Sequence, residues 1–405
     1  MKARLLAYAR FINRFAGTLL LFAFWGVLLH AFAVHMAPRL HYLAGAPIGN
    51  DLPCHTPECD FGVFWPAGVL SVQKAFSVIY TPNLFMVAAK KLLLPETSYQ
   101  TFFYPPTALL FFWPLAHLPF EAAAFVWLLG STTCAIVLLR LSKFEWPVII
   151  LGLLAPAALL DYQLGQFGVI TGAVFLASIR LSESRGFLGG SLAGIFAIKP
   201  QLGLLLPFLW GSQRNLRALA GVLLAFSGLV LISIYLFGLP AWHAYLTLGR
   251  LQSIHVLSAP FDPHGAQGWG VSVYWMVRSF GLSPMVANLF QLASAFLALA
   301  CLISCTWPAE RLCTVMVCLS LLATPYANTP DMVAFSLMLA ESARQRGWRI
   351  GLLDAVLFLW PGLCLVVSIK TGHELTPLIV LGALLRAIVR PLPTRPAVLP
   401  APAQE

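Results

Sequence analysis

Charge is what this sequence has least of. Of its 405 residues only 10% are charged, with 15 Asp and Glu against 25 Lys and Arg. A soluble domain carries about a quarter charged residues, so an ordinary soluble composition is excluded. Also missing are a phosphate-cradling Gly-rich loop, an Asp-x-Asp metal motif and any convincing internal repeat, so neither a nucleotide nor a metal has an evident seat. Low complexity is confined to the Pro-rich tail 391–405, "PLPTRPAVLPAPAQE", which reads as a disordered cytoplasmic tail.

What is present is apolar surface. Hydrophobic residues make up 59% of the chain. They gather into stretches of about 18–24 residues, each long enough to cross about 30 Å of hydrocarbon. The apolar segments fall at 15–35, 122–140, 146–161, 166–181, 187–198, 201–211, 215–238, 284–306, 311–326, 330–343, 348–368 and 374–390. A Pro-framed piece at 105–119 reads as re-entrant. The expected fold is therefore an all-α polytopic integral membrane protein, one domain over 1–390, with about 11–13 transmembrane or re-entrant helices. The basic start "MKARLLAYARFINR" leads into an apolar run that reads as a retained first span rather than a cleaved signal.

The net charge of +10 does not point to nucleic acid, because the bases are scattered between apolar segments and form no stripe. They act first as a topology signal. If 105–119 dips back and 187–211 breaks at Lys199-Pro200, about 17 basic residues lie inside with both termini and about 8 lie outside. That arrangement predicts a multi-pass protein of the inner (plasma) membrane. A first extracytoplasmic loop at 36–104 carries interfacial helices, and a second lies at 240–283.

The outer segments hold the polar chemistry. In "CHTPECDFGVFWPAGVL", Asp60 precedes Phe61, Phe64, Trp65, Val69 and Val72, which share one helical face and predict an interfacial amphipathic helix. Asp60 reads either as the helix N-cap or as a working carboxylate. Outside the cytoplasm Cys54 and Cys59 favour a disulfide pinning this loop, whereas a zinc site with His55 matches no standard spacing. "DYQLGQFGVITGAVF" offers Gln166 either to a sugar hydroxyl or to helix-end carbonyls. Lys199 stands in the middle of an apolar run, where a cation is costly and marks a functional hypothesis by default. It reads as an anion-binding group or as a structural partner of Asp161 or Asp331. Arg250, His264, Gln267 and Arg278 in the second outer loop, and Tyr326, Asn328 and Asp331 in a later turn, face the same side.

Four stretches in order, "DFGVFWPAGVL", "FFYPPTALLFFWPLAHLP", "LGQFGVITGAVF" and "GSLAGIFAIKPQLGLLLP", resemble glycosyltransferase family 87, membrane enzymes of the GT-C class. The resemblance implies a GT-C fold whose helices surround a cavity at the outer leaflet. It also implies a polyprenyl-phosphate sugar donor, a lipid or glycan acceptor, no cofactor, and a first-loop carboxylate matched here by Asp60. Lys199, with Arg250 and Arg278 behind it, is then expected to hold the donor phosphate. Tyr104, Gln166, His264, Gln267 and Asn328 are expected to line the substrate site. Family members often read Gly-Gln-x-Asn where this chain has Gly165-Gln166-Phe167-Gly168. The expected activity is hexose transfer, mannose being the first candidate, by one inverting displacement with Asp60 as base. A transporter or flippase of a lipid-linked sugar is the rival reading.

Overall fold

The computed structural model describes residues 2–43, 60–93, 97 and 101–389. Among them every regular element is helical, and the only extended pairing is an isolated antiparallel bridge between Gly270 and Asn328. The chain opens with α1 (Lys2–Leu43). The first long loop contributes α2 (Phe61–Val72), α3 (Phe76–Ile79) and α4 (Pro82–Leu92). Next come α5 (Pro106–Leu115), α6 (Phe120–Leu141), α7 (Trp146–Leu153), α8 (Pro156–Leu164), α9 (Gly168–Ser184), α10 (Gly186–Ala193), α11 (Leu206–Ser212) and α12 (Leu216–Phe237). The second long loop carries α13 (Leu239–Ala244), α14 (Arg250–Ser258) and α15 (Val273–Ser279). The chain then runs through α16 (Pro284–Ser304), α17 (Ala309–Ala323), α18 (Val333–Gln345), α19 (Leu352–Thr371) and α20 (Thr376–Val389).

Stretches in α1, α6, α12, α16 and α19 are long and apolar enough to cross a bilayer, and α7 with α8 forms a further candidate bent by 55°. The expected break at Lys199 is present. Helix α10 tightens into a 3-10 turn at Gly194–Ile198, Lys199 leaves helical geometry (φ −139°, ψ 72°), and Pro200–Leu202 makes a second tight turn. The ring of Pro200 disfavours a helical backbone in the residue before it, which fixes the break at this point. The re-entrant expectation for 105–119 meets a short apolar helix, α5, far too short to span alone.

One expectation is corrected. Helix α2 is not amphipathic: Phe61 through Ala67 are all buried, as are Gly68, Leu70 and Ser71. It is an interior helix, and it continues through Pro66 to Val72. The cause is an aromatic cluster that surrounds it. Phe64 stacks on Phe112 of α5 at 4.7 Å and meets Phe167 at 4.9 Å and Tyr104 at 5.2 Å, while Trp127 of α6 packs on Phe167 at 5.3 Å. Each such ring pair adds about 0.5–1.5 kcal/mol beyond its buried area. The two-faced pattern belongs instead to α4, which buries Phe85, Met86 and Ala89 and exposes Leu84 and Val87.

Charge is segregated along α9 and α18. Both begin beside Asp161, Gln166 and Asp331. Toward their other ends Glu341 accepts from Arg180 at 3.1 Å and from Arg344 at 2.9 Å, and Arg344 also reaches Glu145 at 2.7 Å. Asp354 pairs with Arg346 at 2.7 Å and with Arg386. The 17 residues of α9 separate the two poles by roughly 25 Å.

Candidate functional site

Asp60 occupies the N-cap position of α2, but its side chain makes no capping bond. Its backbone N–H is anchored 2.9 Å from the Leu164 carbonyl. The carboxylate instead accepts a hydrogen bond of 2.6 Å at Oδ2 from Gln166 Nε2. Asp60 is partly buried. Burial pushes its carboxyl above the ordinary range, against the opposing pull of the Gln166 hydrogen bond and Lys199, while Asp331 pushes it up further.

Gln166 is not spent on helix-end carbonyls, one of the two roles open to it; its side-chain bonds run to Asp60, Tyr104, Phe167 and Lys199. Gly165 turns left-handed after α8 (φ 68°), a conformation that glycine adopts without Cβ strain, and Trp127 Nε1 donates to its carbonyl at 3.0 Å. The turn aims the buried Gln166 amide inward. Its oxygen then faces donors only: Tyr104 OH at 3.3 Å, Phe167 N at 3.3 Å and Lys199 Nζ at 3.5 Å. With donors on Oε1 and the Asp60 carboxylate on Nε2, the amide orientation is set by its neighbours. Burial pushes the Tyr104 phenol well above its usual range, so it stays a neutral donor.

Lys199 settles on Asp331. Its Nζ lies 2.8 Å from Asp331 Oδ1, both side chains being nearly inaccessible, and stands 5.6 Å from the Tyr104 ring centre and 5.8 Å from that of Phe167. The second Asp331 oxygen accepts from Asn328 N at 3.0 Å, closing a capping box over Thr329–Met332. Of the two acids weighed for Lys199, Asp161 is therefore otherwise engaged. It accepts from Gly168 N at 2.5 Å and Val169 N at 3.1 Å, capping α9 from the preceding helix. A Cβ at position 168 would overlap the Pro330 carbonyl and crowd Asp161 Oδ1, so this chain has no room for an Asn side chain there.

The remaining expected residues stand apart. Arg250 is exposed at the start of α14. Arg278 is buried, and its terminal nitrogens donate to the carbonyls of Leu282 at 2.6 Å and Ala259 at 2.5 Å. His264 and Gln267 bond to Asp262 within their own loop. Asn328 is tied to the Asp331 turn and by its side chain to Tyr326, and the second long loop braces that turn by Thr329 Oγ1 donating to the Trp269 carbonyl at 3.2 Å. Cys54 and Cys59 lie outside the described residues. The sequence reading passes over Glu374, a buried acid between α19 and α20. It accepts from Thr376 N at 2.7 Å, and burial pushes it up to about 7. No group of His, Cys, Asp and Glu among the described residues is arranged to hold a metal ion.

The cluster thus offers one partly open carboxylate, wired through one amide to a phenol and a buried ion pair. Beside it, an apolar hollow of about 700 Å³ lies between α5, α6, α9, α10 and α12, with Phe111, Ile170, Ile195 and Ile232 in its wall. Ile170 is four residues past Gln166 and Ile195 four before Lys199, so the hollow begins about a helical turn from the cluster.

The sequence model of glycosyltransferase family 87 matches residues 102–325, more than half of the chain. The matched part contains Tyr104, Gln166 and Lys199 and leaves Asp60 and Asp331 outside it. No curated protein and no solved structure matches.

Proposed function

Because the chain belongs to glycosyltransferase family 87, we propose that it transfers a hexose, mannose in the first instance, from a polyprenyl-phosphate sugar to a lipid or glycan acceptor. The observation that carries this reading is the Asp60 carboxylate, partly buried, free of any capping bond and oriented by Gln166 at 2.6 Å. A sugar hydroxyl is a weak nucleophile at neutral pH, and a positioned base that removes its proton gives about 10²–10⁴-fold. The hydroxyl oxygen attacks the anomeric carbon as its proton passes to Asp60. The bond from that carbon to the phosphate oxygen breaks on the opposite face, in one inverting step without a covalent sugar intermediate.

The departing phosphate gains negative charge, and a fixed cation in a water-poor site stabilises it most. Lys199 is the cation in the cluster, and its ammonium would be shared between Asp331 and the phosphate. The apolar hollow next to Ile170 and Ile195 suits the lipid tail of such a donor. The GT-C architecture and an extracytoplasmic site with cytoplasmic termini belong to the same proposal. The gathering of Arg180, Arg344, Arg346 and Arg386 at the pole remote from Asp60 supports that orientation.

Release of polyprenyl phosphate from a labelled lipid-linked sugar tests the reading in proteoliposomes. The wild-type chain should release it with transfer of the label to acceptor, and Asp60→Asn should fold but lose ~10²-fold or more of that rate. Near wild-type turnover in Asp60→Asn removes the base assignment. Movement of intact lipid-linked sugar between leaflets without release identifies a transporter instead.

A further inference from the structure

A second hollow, apolar with a polar lip, lies away from the cluster. At the end of α12 the chain turns through Gly238 (φ 78°) into α13, and a space of about 700 Å³ opens between this corner and the end of α2. Phe76, Leu239 and Leu248 supply apolar wall, and Lys74, His243 and Ser77 the polar lip. Among the described residues no acidic one lines it, and no carboxylate there pairs with Lys74 or His243.

Its depth follows from the helix beside it. Helix α12 is apolar enough to span and ends at Phe237, so residues 239–248 leave the hydrocarbon at the level of lipid headgroups. Leu239 (67%) and Leu246 (58%) are widely exposed beside the hollow, and Trp242 and Tyr245 supply rings of the kind that settle at a membrane interface. Lys74 is held at the lip by the end of α2. Its N–H donates to Ser71 O at 3.1 Å and that of Ala75 to Leu70 O at 2.9 Å, which leaves Lys74 left-handed (φ 56°) where glycine is usual. Lys143 and Arg214 end α6 and α11 in the same way. The conformation is thus a helix-end feature of this chain, and its effect here is to fix where the Lys74 side chain starts.

We infer that this hollow seats the phosphodiester headgroup of an anionic phospholipid. The Lys74 ammonium and an N–H of the His243 imidazole meet the phosphate, and the acyl chains run along Leu239 and Leu246. Two basic groups, no acid among the described lining residues and an exposed apolar rim at headgroup depth select an anionic lipid over a zwitterionic one, since each cation near the surface contributes about 1 kcal/mol, or about fivefold. The seat is separate from the carboxylate cluster, and Tyr245, next in the chain to the lining residue Ala244, connects the two. The Tyr245 ring lies 5.7 Å from that of Tyr80, and Tyr80 OH donates to the Tyr104 carbonyl at 3.0 Å.

The test reads lipid retention and needs no transfer activity. The full chain is reconstituted in phosphatidylcholine containing a minor share of phosphatidylglycerol, re-extracted in neutral detergent, and its retained lipid counted by mass spectrometry. Wild type should carry phosphatidylglycerol enriched over the bulk, Lys74→Gln/His243→Gln should lose that enrichment by about fivefold or more, and Lys74→Arg should keep it. Lys90→Gln/Lys91→Gln, which removes two basic residues from the last turn of α4, should also keep it. The inference is overturned if Lys74→Gln/His243→Gln retains wild-type enrichment. It is overturned equally if Lys90→Gln/Lys91→Gln loses as much, or if inorganic phosphate displaces the lipid.

Discussion

Gln166 and Asp60, 106 positions apart in the chain, meet across a single hydrogen bond of 2.6 Å. The same amide faces Tyr104 and Lys199 through its oxygen. The carboxylate of the first long loop and the buried cation of the broken helix are therefore two ends of one connected group. Positions 60 and 199 thus belong to one hydrogen-bonded cluster.

With Asp60 as the proposed base, the pH dependence of transfer follows from its carboxyl. Burial raises its pKa above the ordinary carboxylate range, and a general base works only when deprotonated. Activity should therefore fall as pH drops, along an acid limb whose midpoint lies above the ~3.9 of a free aspartate. A profile of kcat/KM against pH measures this, and a limb at or below the free value would contradict it.

Gln166→Leu keeps bulk but removes the donor that holds Asp60. Mispositioning the base should lower kcat by up to ~100-fold with little change in donor KM. Gln166→Glu sets a second carboxylate against the first, which should push the acid limb to still higher pH. Unchanged kcat in Gln166→Leu would make the 2.6 Å contact irrelevant to turnover.

Lys199→Met strips Asp331 of its ion-pair partner in a buried site. Breaking such a pair costs about 3–5 kcal/mol, whereas replacing both partners with apolar groups is often neutral. Lys199→Met should therefore melt well below wild type in detergent, and Lys199→Met/Asp331→Leu should recover. Donor binding separates the roles: the recovered double variant should still bind a polyprenyl-phosphate sugar weakly if Lys199 holds the phosphate. Wild-type affinity there would leave Lys199 a purely structural cation.

Gly168→Ala drives a methyl group into the Pro330 carbonyl and against the Asp161 carboxylate that caps α9. Overpacking of this kind costs about 1–3 kcal/mol. A melting temperature equal to wild type would mean that the turn carrying Asp331 yields freely.

Glu374 ties stability to pH. Its carboxyl sits at about 7 in the folded chain and near ~4.3 when unfolded, so the folded state prefers it protonated. Stability should be greatest below pH ~4.3 with respect to this group and be lost as pH rises to about 7. Glu374→Gln should remove that slope from a series of thermal melts, and an unchanged slope would assign it to other groups.

Membrane residence, helical class, most segment positions and the break at Lys199-Pro200 were determined by the sequence alone. Each rests on a local cause: the length of an apolar run, or the steric effect of a proline on the residue before it. Asp60, Gln166 and Lys199 were legible as candidates for a similar reason, since polar groups among apolar neighbours stand out. Tertiary structure decided what they do to one another. Periodicity gave α2 a lipid face because a strand of sequence does not reveal that Phe112 and Phe167 will close over Phe64. It left Lys199 between two acids because only packing sets Asp161 on the start of α9 and Asp331 within 2.8 Å of the ammonium. Local chemistry writes the elements, and contacts between positions 60, 104, 166, 199 and 331 exist only once those elements have packed.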